Sequence, residues 1–265
     1  MDNLFTIITV CYNAEKLIKG TVDSVLEQTY DNYDYLVVDG TSNDHTIDIV
    51  MQEKEKLDIN DRLRLIVQKD EGIFDAMNRA LDYVRGDSYV IFLNAGDRLF
   101  NSSVLQTIAE TMRRVERKYD VIYGDVCAVG DNSSDIVPAR VYTSLPEKMA
   151  FSHQSVFARS DLLKKKRFSM KYKTCADYDQ FLKLYLQGAS FYYCGIVVSK
   201  YLLGGFSSKN PTLLVYECLR VRRDNRVFPL YNPRNALHYL WVYFKLKCKT
   251  VMPEKMVETL KRVLK

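Results

Sequence analysis

The stretch Tyr89 to Asp97 reads Tyr-Val-Ile-Phe-Leu-Asn-Ala-Gly-Asp, and it limits the folds open to this chain more than any other segment. Its five leading residues carry no charge, which suits a strand buried on both faces, and they stop abruptly at an amide, a glycine and a carboxylate. Such a strand belongs in a parallel sheet whose C-terminal edge carries the polar groups. The residues before it supply its neighbours. Runs at 5–11, 33–38 and 63–68 are β-rich, and each leads through a polar loop into a helical pattern, at about 17–26, 46–56 and 73–84. Four strands alternating with three helices predict right-handed crossovers and a mostly parallel sheet flanked by helices, the α/β class.

Beyond Asp97 the pattern predicts a helix over about 103–117, a strand at 121–126 and a hairpin loop from Gly130 to Ser134. Regularity fades between Ala139 and Gly205, where a polar segment around His153 and Gln154, an apolar helix at 178–186 and a strand at 191–198 stand out. From Asn210 onward helices are predicted over 212–223, 233–248 and 253–264, with Pro211 at a first helical position. Charge divides the chain in the same place. Residues 209–265 carry 13 Lys or Arg against 4 Asp or Glu, whereas residues 1–208 carry 25 against 29. A main domain over 1–208, with halves at 1–100 and 101–208, is therefore expected to be followed by a basic helical extension over 209–265.

Six cysteines, no two closer than 19 positions, fit neither a zinc knuckle nor a secreted disulfide framework. The N-terminus has no basic segment before its apolar run, and no run approaches the roughly 18 apolar residues of a membrane span, so a cytoplasmic chain is expected. The basic tail lacks groove-reading motifs, which argues against nucleic acid as a partner.

Polar residues gather at the ends of the predicted strands: Thr9 to Asn13, Asp39, Gln68 to Glu71, and Asn94 to Asp97. One ligand meeting all of them is the expected look of a nucleotide site. No glycine-rich loop follows the first strand and no Walker sequence occurs, so phosphates must be neutralised by a metal or by side chains. Asp97, beside the permissive Gly96, is placed to reach a divalent cation such as Mg²⁺ or Mn²⁺.

Five ordered motifs carry a more specific signal: Thr-Val-Cys-Tyr-Asn-Ala-Glu (9–15), Val-Val-Asp-Gly-Thr-Ser-Asn-Asp (37–44), Asp-Glu-Gly-Ile-Phe-Asp-Ala-Met-Asn (70–78), Leu-Asn-Ala-Gly-Asp (93–97) and Ala-Asp-Tyr-Asp (176–179). Together they resemble family 2 glycosyltransferases over roughly residues 4–205. The resemblance implies the nucleotide-diphospho-sugar transferase fold, GT-A. It implies that Asp39 reads the base, usually uracil, with Thr9 and Asn13 in the same pocket and Glu15 close by, and that Asp70 and Asn78 face the ribose or sugar. Asp97 matches the last acid of the family's Asp-X-Asp element, which holds the metal on the diphosphate, while Asn94 and Gly96 stand where many relatives have acids. Asp177 matches the catalytic base, with Ala176 where a Glu is usual. Asp179, two residues on, is the alternative base or a helix cap. His153 and Gln154 resemble a pair that a subset of the family carries before its catalytic Asp. That implies a substrate or diphosphate contact, against the ordinary reading of a structural histidine among apolar neighbours.

The function implied is an inverting, metal-dependent transfer of a sugar from a nucleotide donor, a UDP-sugar, to a carbohydrate or lipid-linked saccharide acceptor in surface polysaccharide biosynthesis. The alternative is a non-catalytic nucleotide-sugar-binding protein. In the tail, Trp241, Tyr243 and Phe244 run into Lys245, Lys247 and Lys249, which suits peripheral attachment to the inner face of the cytoplasmic membrane. Leu237, Leu240, Trp241 and Phe244 also share one helical face, so packing on the main domain is the competing reading.

Overall fold

In a computed structural model, which describes residues 4–56, 62–115, 117–130, 133–204 and 210–227 together with Leu237, the four N-terminal strands form as expected. They are β1 (Phe5–Cys11), β2 (Tyr33–Asp39), β3 (Leu63–Val67) and β4 (Tyr89–Phe92). All are parallel, in the order β3-β2-β1-β4. The register sets Cys11 opposite Asp39 and Asp39 opposite Val67, so the polar residues that follow share one edge.

Alternate residues of these strands feed two apolar cores, one on each face of the sheet. Ile8, Val10, Leu36, Val38, Val90 and Phe92 face one core, and Ile7, Tyr35, Val37 and Ile91 face the other. Burial on both faces is why these runs read as continuously apolar. Helices α1 (Ile18–Leu26), α2 (Thr46–Lys56) and α4 (Val104–Arg114) contribute to the second core, and α3 (Ile73–Asp82) contributes to the first.

Past β4 the sheet becomes mixed. β8 (Val156–Arg159) lies antiparallel beside β4, β6 (Val121–Val129) runs antiparallel to β8, and β9 (Phe191–Leu202) runs parallel to β6. The two-residue β5 (Arg98–Leu99) closes that edge against β9, and β7 (Ser134–Val137) forms the expected hairpin with β6. The full order is β3-β2-β1-β4-β8-β6-β9-β5. Three pieces of this half, β5, β8 and α5 (Ser160–Lys165), were not expected from sequence periodicity, because runs of two to six residues are too short to display one.

Helix α6 (Ala176–Leu186) and helix α7 (Pro211–Asp224) complete the first core, with Val221 of α7 fully buried in it. Arg222 donates to the Glu147 carbonyl at 2.7 Å and Tyr172 Oη donates to Asp224 at 2.9 Å. The 208/209 boundary thus marks a change of charge, while α7 packs on the domain before it. Apart from Leu237, the helices expected at 233–248 and 253–264, and the aromatic and lysine residues from Trp241 to Lys249, lie outside the described residues. Among the described residues no helix is long and apolar enough to cross a membrane.

Candidate active site

At the end of β2 the fully buried Asp39 accepts from the Ser42 backbone N–H at 2.7 Å and from its hydroxyl at 2.6 Å, with the Cys11 thiol 3.4 Å from the same carboxylate. Burial, and then the Asp39 charge, push the Cys11 thiol well above its ordinary range, so it stays a neutral donor. The β1 and β2 loops are stitched together. Asn13 donates its N–H to Ser42 Oγ at 2.8 Å and accepts from Asn43 N–H at 2.9 Å, while Glu15 accepts from His45 N–H at 3.2 Å. Asp70 accepts from Gly72 N–H at 2.8 Å and leans on Gly40, where an added Cβ would sit 2.5 Å from its second oxygen. Only glycine allows that approach. The structure therefore brings Asn13, Glu15, Asp39 and Asp70 to one edge.

Two more residues of the expected set are buried, as Asp39 is, and have partners within the fold. Thr9 is fully buried, its hydroxyl 3.0 Å from Tyr35 Oη. Asn78 is buried on α3 and turns its amide to Phe168, donating to the carbonyl at 2.9 Å and accepting from the N–H at 2.8 Å, with Met170 Sδ 3.8 Å from its Nδ2. Conversely, Tyr12, which sequence reasoning passed over, is 59% exposed with its ring against Gly40. An aromatic face beside Asp39 and Asp70 suits a stacked base, and the signal for it was an aromatic residue placed inside a polar turn.

Asp97 sits in the turn that ends the β4 segment. Its N–H donates to the Asn94 carbonyl at 2.8 Å, and its carboxylate accepts from Asn94 N–H at 3.2 Å. Gly96, at φ 105°, makes the turn possible, and its N–H is fixed by Thr21 Oγ1 at 2.9 Å. Burial pushes the Asp97 carboxyl up to about 6, against the opposing pull of His153 and of the Asn94 N–H.

The remaining candidate groups come from a 3₁₀ turn, His153–Ser155, and from the first turn of α6. His153 Nδ1 lies 3.3 Å from Asp177 Oδ2, and its Nε2 lies 3.1 Å from Asn94 Nδ2. One imidazole thus bridges the Asp97 turn and Asp177, a link that no sequence spacing reveals. Burial favours the neutral ring, but the hydrogen bond and charge of Asp177, with Asp97 adding to them, raise His153 above its ordinary value. Gln154, next to it, is buried. Asp179 is also buried and fully used, accepting from Lys183 at 2.5 Å and from Asn225 at 2.8 Å. Of the two acids only Asp177 is partly exposed.

The donor set near Asp97 fits a hard divalent cation with few protein ligands. The buried Asn94 Oδ1 has no hydrogen-bond partner among the described residues, which leaves an oxygen acceptor three positions before Asp97. No three acidic, His or Cys side chains converge among the described residues. Mg²⁺ or Mn²⁺ tolerates this arrangement by taking its remaining ligands from phosphate oxygens and water.

The family model described as Glycosyl transferase family 2 matches residues 6–190. A PGL/p-HBAD biosynthesis glycosyltransferase of Mycobacterium bovis is 29% identical over 213 residues, 77% of this chain and 79% of that protein. The UDP-Glc:alpha-D-GlcNAc-diphosphoundecaprenol beta-1,3-glucosyltransferase WfgD of Escherichia coli is 28% identical over 254 residues, 94% of this chain and 95% of that one. Among solved structures, the mannosyltransferase PcManGT from Pyrobaculum calidifontis, in complex with GDP-Man and Mn²⁺, aligns with a TM-score of 0.63 over 99% of this chain and 81% of its own, at 18% identity. That likeness concerns the fold. Sheet order, strand-end chemistry and the matched span agree, and the chain belongs to glycosyl transferase family 2 and has the GT-A fold.

Proposed function

We propose that the protein is an inverting glycosyltransferase that moves a sugar from a UDP-sugar to a hydroxyl of a carbohydrate or lipid-linked saccharide in surface glycan assembly. The observation that carries this reading is the His153 bridge, which ties the one partly exposed acid of α6 to the turn that holds Asp97. The similarity to WfgD, a UDP-Glc:alpha-D-GlcNAc-diphosphoundecaprenol beta-1,3-glucosyltransferase, supports the donor and acceptor classes.

In this reading Asp39 accepts from the ring N–H of the base, Tyr12 covers it, and Asp70 lies toward the ribose. Asp97 and Asn94 would hold Mg²⁺ or Mn²⁺, which stabilises the charge of the departing diphosphate. Asp177 accepts the proton of the acceptor hydroxyl as its oxygen attacks the anomeric carbon opposite the leaving group. His153 Nδ1, 3.3 Å from Oδ2, and the Tyr178 N–H, 2.8 Å from Oδ1, fix the orientation of that carboxylate.

A thermal-shift screen of UDP-, GDP- and dTDP-sugars with Mn²⁺ identifies the donor, since a ligand bound by the native state alone raises Tm. Incubating the selected donor with and without Mn²⁺ then distinguishes an enzyme from a binding protein. Slow, Mn²⁺-dependent release of the nucleoside diphosphate is expected. Tight binding with no release, with any acceptor, would favour the binding protein.

A further inference from the structure

α7 does more than cover the core. Its Glu217 is only 3% exposed and reaches the segment just before α6. One carboxylate oxygen accepts from Lys173 N–H at 2.8 Å. The other accepts from Thr174 N–H at 2.7 Å, Thr174 Oγ1 at 2.7 Å and Cys175 N–H at 3.2 Å. A buried carboxylate is tolerated only when its oxygens are satisfied, and here three successive backbone N–H groups and a hydroxyl do so. Cys175, the residue capping α6, makes no side-chain cap bond of its own. The conformation of residues 173–175 is therefore held by an acid from another helix. Asp177 follows two positions later.

The same helix grips α6 elsewhere. Asn225, at its end, donates to Asp179 at 2.8 Å, and Cys218 Sγ lies 3.4 Å from Cys175 Sγ. None of these contacts reaches the β1–β4 edge where the nucleotide is proposed to bind. We infer that Glu217 is a positioning residue for Asp177: by fixing the 173–175 backbone it sets where the base stands relative to the acceptor hydroxyl, which makes α7 part of the catalytic apparatus. This rests on the reading of Asp177 as the base.

The test is steady-state kinetics of full-length Glu217→Gln and Glu217→Ala with the donor found by the screen, alongside UDP titration in Mn²⁺. Expected is a fall in kcat of about 10- to 100-fold in Glu217→Ala, the scale of a small misplacement of a catalytic group, and a smaller fall in Glu217→Gln. Donor KM and UDP affinity stay within about threefold, a split that general loss of structure does not produce. In an Asp177→Asn background Glu217→Gln costs little more, because groups acting as one unit are not additive. Full kcat in Glu217→Ala beside an inactive Asp177→Asn overturns the positioning role and leaves the base standing. Full turnover in Asp177→Asn overturns both, and additive losses in the double variant overturn the positioning role. Should neither Glu217 variant bind UDP, Thr174→Val decides: it removes one donor and keeps the carboxylate, and an unchanged kcat there overturns the proposal.

Discussion

At the scale of single residues, the candidate acids at 39, 97 and 177 were legible because each sits in a short motif whose chemistry is local. The bridge among them was not, since His153 meets Asn94 and Asp177 across 59 and 24 positions and only the fold brings them together. Asp97 gives this scale its pH dependence. Burial raises its carboxyl from 3.8 to about 6, and a divalent cation binds only the ionised form. Below about pH 6 the apparent affinity for Mn²⁺ in the presence of UDP is expected to fall roughly tenfold per pH unit, and titrations at pH 5, 6 and 7 measure it. A flat profile would put the metal ligand elsewhere. Metal-free stability moves in the opposite sense. Because the folded carboxyl holds its proton more tightly than the unfolded one, its contribution is largest below about pH 4 and is lost as pH rises through about 6. Asp97→Asn should remove that slope along with the Mn²⁺ dependence of UDP binding.

At the scale of elements, the four parallel strands were readable as apolar runs that end in turn chemistry, and α1 to α4 as stretches long enough to show a helical period. The central β8 was not, because four residues buried between β4 and β6 carry no alternation to detect. Its antiparallel entry is also what departs from simple strand-helix repetition. Helix α3 illustrates how motif and contact diverge. The resemblance directs Asn78 to the ribose or sugar, whereas its amide secures Phe168 in the segment leading toward α6. Asn78→Ala is therefore expected to cost about 1–3 kcal/mol by stranding the buried Phe168 groups, with UDP affinity unchanged, as read by urea unfolding and calorimetry. Unchanged stability with tenfold weaker UDP binding would return Asn78 to the ribose.

At the scale of the whole molecule, charge and packing divide the chain differently. The basic character begins near residue 209, yet α7 closes over α6 and shares its apolar core. Thirteen Lys or Arg in residues 209–265 and the aromatics from Trp241 to Phe244 motivate a salt-sensitive membrane contact. Co-sedimentation with anionic liposomes should fall as salt rises and fall again when residues 233–265 are removed. Full-length protein left in the supernatant at low salt would make the tail a structural or oligomer contact. All three scales meet at Asp177, and the most direct test compares sugar transfer by Asp177→Asn and Asp179→Asn at saturating donor and Mn²⁺, with UDP binding measured in parallel. Asp177→Asn is expected to keep UDP binding and lose transfer by roughly 10² or more, as befits a positioned base, while Asp179→Asn loses stability first. Near-normal turnover in Asp177→Asn would contradict the assignment and move the base elsewhere.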